Sequence, residues 1–144
     1  DNTARILDVK YYLLLPQNEI VGGGIDNYQW SAILRSVSAH RSYKWVYKES
    51  YKPWRIAEYM ILNREMPRSL AYCYDEISEA LGCLEGDYGQ RHDCHEMAQE
   101  SVARLEQAKI AAIFQSGLHE FLVDFLGRHN RLGSEIALAY HFTD

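Results

Sequence analysis

The sequence predicts an all-α fold, an antiparallel bundle of five or six helices with no sheet. Apolar residues recur at three- and four-residue spacing through most of the chain, the repeat of a helix that buries one face. No window alternates with period two between hairpin turn signals, so strands are not expected. Interruptions between periodic stretches are short and marked by Pro, Gly or a capping residue. With 144 residues and 47% hydrophobic content, the chain predicts a single helical domain over residues 1–144 that can bury its own core.

The first helix carries Ala4, Leu7, Tyr11 and Leu14 on its apolar stripe. Asp1, Arg5 and Asp8 share an adjoining face, where Arg5 can pair with either acid one turn away. No staple residue precedes that stripe, which predicts a chain continuing from a longer helical protein. Pro16 ends the helix, because proline disfavours helical backbone in the residue before it. Gln17 to Ile25, with its Gly22-Gly23-Gly24 run, reads as a loop. Asp26 is suited to cap a second helix that buries Trp30, Ile33, Leu34 and Val37. Ser42 to Lys52 reads as an irregular turn or as further helix.

Pro53 and Pro67 each suit a first helical position. The helix after Pro53 turns Ile56, Tyr59 and Met60 inward. The helix after Pro67 buries Leu70, Cys73, Tyr74, Ile77, Leu81 and Leu84, and is expected to fade at Gly82 to Gly86. Another carries Cys94, Met97, Ala98, Val102, Leu105, Ala108 and Ala112 on one side. Ser116 is suited to cap the last helix, which buries Leu118, Phe121, Leu122, Phe125, Leu132, Ile136 and Tyr140. Gly127 and Gly133 on its flank would permit close helix contact.

A net charge of −5 argues against sequence-independent binding to nucleic acid, which needs a basic face to displace counterions. Three cysteines, Cys73, Cys83 and Cys94, cannot all pair within the chain and lack a CxxC spacing, as expected of thiols in a reducing compartment. No apolar run approaches the ~20 residues that cross a bilayer. A cytoplasmic protein without a membrane partner is the expectation.

His92-Asp93-Cys94-His95 combines residue types that suit zinc, but a closed site needs a second ligand pair that the sequence lacks. The plainer reading is a helix start with Asp93 complementing the dipole and Cys94 buried. None of the twelve glutamates has a histidine three residues later, so a di-iron centre is not expected. The triple glycine has neither a following Lys-Ser/Thr nor a preceding strand, so it is not a phosphate loop. No nucleophile elbow occurs. The expectation is therefore no metal and no cofactor. His119-Glu120 sets an imidazole beside a carboxylate, which suits helix capping or proton transfer. All three tryptophans fall between positions 30 and 54, interleaved with Arg and Lys. Their rings either fill the core or form a partner-binding patch, with burial the favoured expectation.

Several strings together carry a resemblance: Asp1-Asn2-Thr3-Ala4-Arg5-Ile6-Leu7-Asp8-Val9-Lys10-Tyr11, Gly23-Gly24-Ile25-Asp26-Asn27-Tyr28-Gln29-Trp30 and Leu34-Arg35-Ser36-Val37-Ser38-Ala39, then Pro67-Arg68-Ser69 and Gly117-Leu118-His119-Glu120-Phe121-Leu122. In this order they resemble the bacterial alpha-E family, a predicted all-helical domain named for a Glu-Arg motif. The first string resembles the stretch on the C-terminal side of the Glu-Arg pair, which would fall immediately before Asp1. The resemblance implies that full-length members are about twice this size, with a related segment in each half, and that this chain corresponds to the C-terminal half. It also implies a companion role beside ATP-grasp amide-ligase-like proteins, transglutaminase-like peptidases and a proteasome-like peptidase.

With that resemblance, the candidate binding residues are Arg5, Asp8, Asp26, Trp30, Arg35, His119 and Glu120. A ladder of charges on the first helix is costly to bury unless paired, so it marks a structural seam or a ligand-facing surface. Arg35 has the planar fork that suits carboxylate or phosphate. One reading is a non-catalytic accessory or scaffold of an ATP-grasp ligase or transglutaminase-like peptidase system acting on peptides, with room for a homo-oligomer. The alternative is an enzyme of peptide or amide-bond metabolism, with Arg5, Asp8, Arg35 and His119 converging on a cleft. Residue types favour the first, because no nucleophile–base pair or metal set is evident.

Overall fold

A computed structural model describes residues 1–10, 24–48 and 51–142, the side chains of 24–26 excepted. Every regular element among them is helical, as the periodicity requires. The order is α1 (Asn2–Asp8), α2 (Gly24–Ser36), α3 (His40–Tyr47), α4 (Pro53–Leu62), α5 (Leu70–Tyr88), α6 (Asp93–Gln107), α7 (Ile110–Ser116) and α8 (Leu118–Tyr140). The eight exceed the expected five or six because the Ser42–Lys52 region contributes a helix of its own and the stripe from Cys94 to Ala112 is split in two. No helix among the described residues is long and apolar enough to cross a membrane.

α4 is the centre of the molecule. Ile56, Ala57, Tyr59, Met60 and Ile61 are all buried, and the helix packs against α1, α2, α5, α6 and α7. From Ile56 to Leu62 it is apolar at every position except Glu58, as a largely surrounded helix requires. α5 and α6 form a hairpin whose turn begins at Gly89, where a φ of 67° ends α5 in the left-handed conformation that glycine adopts freely. Gly82 and Gly86 do not stop α5. Each costs about 1 kcal/mol in a helix interior, a penalty outweighed by Leu81 and Leu84 packing into the core. Cys94 is buried, Cys73 half-buried and Cys83 exposed; all three are free thiols.

Several expected boundaries move. α5 starts at Leu70 with Ser69 as its cap, its Oγ accepting from the Tyr72 N–H at 3.0 Å and donating to the Asn63 carbonyl, while Pro67 lies in the preceding turn. Ala108 and Lys109 are extended, and the two-residue break re-phases the stripe so that Ile113 turns inward instead of Ala112. α8 is preceded by Gly117 at φ 103°, so the glycine and not Ser116 makes the entry. Gly127 and Gly133 face open space and mediate no close approach. Tyr11, Leu14, Pro16 and the Gln17–Gly23 part of the loop lie outside the described residues.

Candidate functional site

α1 reaches its position through Ala4 and Leu7 in the core and through Thr3, whose Oγ1 donates to the Arg68 carbonyl at 2.8 Å. These anchors rotate the helix so that Asp8 faces α8. His119, in the first turn of α8, donates from Nδ1 to Asp8 Oδ1 at 2.7 Å, with the two side chains 33% and 21% exposed. The bond fixes the tautomer and ring orientation of the imidazole, the positioning half of a proton-transfer pair. Arg5 does not join them. It faces solvent and turns back to Asp1 at 2.9 Å, so the expected Arg5–Asp8 pairing gives way to one pair along the helix and one across it. Glu120 is exposed and its carboxylate folds over Gly117.

The other candidates lie elsewhere. Asp26 falls inside α2 and not at its cap position; its side chain is outside the described set. Trp30 is fully buried, with the Lys10 ammonium 4.9 Å from its ring centre. Lys10 is itself buried and donates to Gln29 Oε1 at 2.6 Å. Sequence reasoning passed over this lysine, although Thr3, Leu7 and Lys10 share one helical stripe at spacings of four and three. Arg35 is exposed at the end of α2 and lines an open groove of about 640 Å³ with His40, Arg41, Lys44 and Trp45.

The aromatic–basic segment divides between the two expected readings. Trp30 and Tyr43 fill the core, with Tyr43 packed on Tyr47 and Tyr59 at 5.0 and 5.8 Å between ring centres. Trp45 stands 80% exposed and Trp54 45%. His40 donates to or accepts from the Tyr51 hydroxyl at 2.6 Å. Burial, then the neighbouring Arg35 and Lys44 charges, hold its imidazole below the ordinary value.

In the histidine cluster at the start of α6, His95 ties two helices together while His92 and Asp93 line an open pocket. His95 is buried; its Nδ1 accepts from the His92 N–H at 3.0 Å and its Nε2 donates to the Leu81 carbonyl at 2.9 Å, tying α6 to α5. Burial raises the Cys94 thiol above its ordinary value, keeping it protonated. Among the described residues, no group of three His, Cys, Asp or Glu side chains is arranged to hold a metal ion. A second cross-helix pair has no signature in the sequence: Tyr74 on α5 and His129 Nδ1 on α8, at 3.1 Å. Burial pushes the Tyr74 phenol up to about 12 and lowers the His129 imidazole, so both are held neutral. Helical spacing cannot pair positions so far apart.

No curated protein and no solved structure matches the chain. The model of the family described as Alpha-E, a predicted alpha-helical domain with a conserved ER motif, matches residues 1–141. The match takes in the strings at both ends, from Asp1-Asn2-Thr3-Ala4-Arg5 to Gly117-Leu118-His119-Glu120, and is not confined to a C-terminal part. On that span, and on a fold that is helical wherever it is described, the chain belongs to the Alpha-E family.

Proposed function

We propose that this chain is a non-catalytic helical partner of an ATP-grasp amide-ligase or transglutaminase-like peptidase system acting on peptides. The partner classes come from the family resemblance. What supports a binding role over a catalytic one is the dispersal of the candidate residues. Asp8 is joined to His119, Arg5 to Asp1, Trp30 is buried in the core, and Arg35 lines a different groove. A catalytic constellation requires its groups to converge on one reacting atom.

The test is affinity capture of the products of the neighbouring genes with the full-length protein. Recovery of a ligase or peptidase in stoichiometric amount is expected; recovery of none rejects the scaffold. The enzyme reading draws on one observation, the Asp8–His119 pair, which orients an imidazole at a half-exposed edge. Under that reading, His119→Gln abolishes an activity of the isolated protein. Under the scaffold reading it leaves capture intact.

A further inference from the structure

The charges of this chain are segregated. Six of its fifteen Lys and Arg residues (Arg35, Arg41, Lys44, Lys48, Lys52 and Arg55) fall between positions 35 and 55, where only one of its twenty acids, Glu49, occurs. On α3, Arg41, Lys44 and Trp45 recur at helical spacing along one exposed face, with Lys48 exposed at its C-cap, while Tyr43 turns inward. Arg35 completes the groove from the end of α2, and among the described residues no carboxylate lines it.

Structural needs account for only part of this arrangement. Arg35 and Lys44 sit in the last turns of their helices, where the dipole favours a cation. Arg41 sits in the first turn of α3, where the dipole opposes a cation, and that turn contains no acid. Trp45 leaves 80% of its surface in water, beside three cations. An exposed indole rimmed by guanidinium groups is costly for the isolated fold and is typical of a contact centre.

We infer that the α2–α3 groove lined by Arg35, Arg41, Lys44 and Trp45 docks a carboxylate-rich segment of a protein partner. Arg35 and Arg41 offer planar forks that take a carboxylate through two parallel hydrogen bonds, Lys44 a point charge, and Trp45 a flat apolar surface for the aliphatic stems of Glu side chains. A long polyphosphate fits less well. Twelve of the twenty acids lie on α5, α6 and α8, where an extended nucleic acid would be repelled. The inference deepens the scaffold reading by naming its partner's chemistry, and rests on it for the partner being a protein.

Fluorescence anisotropy of a labelled oligoglutamate, titrated with the full chain at low salt, tests it. Oligoglutamate binds and oligoglutamine does not. The double variant Arg41→Glu, Lys44→Glu weakens binding about tenfold or more, as does salt, with an unchanged circular-dichroism melt. Trp45→Ala weakens it without altering its salt dependence. No binding of oligoglutamate, or equal binding by the double variant, overturns the inference. So does tighter binding of oligothymidylate, which assigns the groove to nucleic acid, or self-association abolished by the double variant, which assigns it to a second copy. Binding of oligoglutamate without capture of the neighbouring proteins rejects only the named partners. Capture that survives the double variant rejects only the groove as their contact.

Discussion

His119 Nδ1 lies 2.7 Å from Asp8 Oδ1, so a residue in the first turn of α8 closes onto the last residue of α1, 111 positions earlier. The bond is partly exposed, which limits its strength. Asp8→Asn and His119→Ala are each expected to lower stability by about 1 kcal/mol. A double-mutant cycle in urea should return a coupling of about 0.5–1 kcal/mol. Additive losses mean that the two side chains contribute independently and the seam is held by packing alone.

The Tyr74–His129 pair sets both limits of a pH window. Burial holds His129 below its ordinary value of 6.5, so on acidification the unfolded chain takes up a proton before the folded one does. Its contribution to stability is complete above 6.5 and is lost as pH falls toward the lowered value. Tyr74 is raised from 10.0 to about 12, so the folded chain keeps a proton that the unfolded chain releases. That contribution is complete below 10 and declines as pH rises toward 12, by about 3 kcal/mol at most. Between these limits the pair itself adds no slope to melting temperature against pH. His129→Phe reduces the acid-side loss and Tyr74→Phe the alkaline one; an unaltered profile in both variants rejects the assignment.

Trp30 and Trp45 provide the sharpest contrast within one sequence segment. Trp30→Ala empties a fully buried site and is expected to cost about 3–5 kcal/mol. Trp45→Ala removes a ring that is 80% exposed and should change stability by no more than about 0.5 kcal/mol. Chemical denaturation of the two variants measures both values. Equal losses would mean that α3 is more deeply packed than its exposure indicates.

Alanine at Gly117 and at Gly127 should act with opposite sign. At Gly117 the φ of 103° is unsuited to any side chain, and an added Cβ runs into the Glu120 carboxylate. Gly117→Ala should therefore destabilise by about 1–2 kcal/mol. Gly127 is helical and faces open space, so Gly127→Ala should stabilise by about 0.5–1 kcal/mol. Thermal melts decide; the same sign for both refutes the conformational explanation.

Helical character and the inward faces were legible residue by residue. Leu7, Trp30, Leu34, Ile56, Met60, Leu81, Leu105 and Leu122 are buried where their spacing predicts, because burying one stripe is a local requirement of any helix in a bundle. Element ends were less legible. Pro67 and Ser116 carry good initiation signals, yet Ser69 and Gly117 make the entries, and α5 continues through Gly82 and Gly86. A side-chain cap at Ser69 set the first entry, and within α5 packing outweighed a cost of about 1 kcal/mol at each glycine.

The sequence by itself determined that this is an all-helical member of its family, and which side of most helices faces in. Only the tertiary structure decided that Asp8 takes His119 and not Arg5, that Tyr74 meets His129, and that Trp45 stands in solvent while Trp30 does not. Helical periodicity is written in contacts three and four residues apart. The pairings join residues 55 and 111 positions apart, and a code of local spacing carries no information about which helix face meets which.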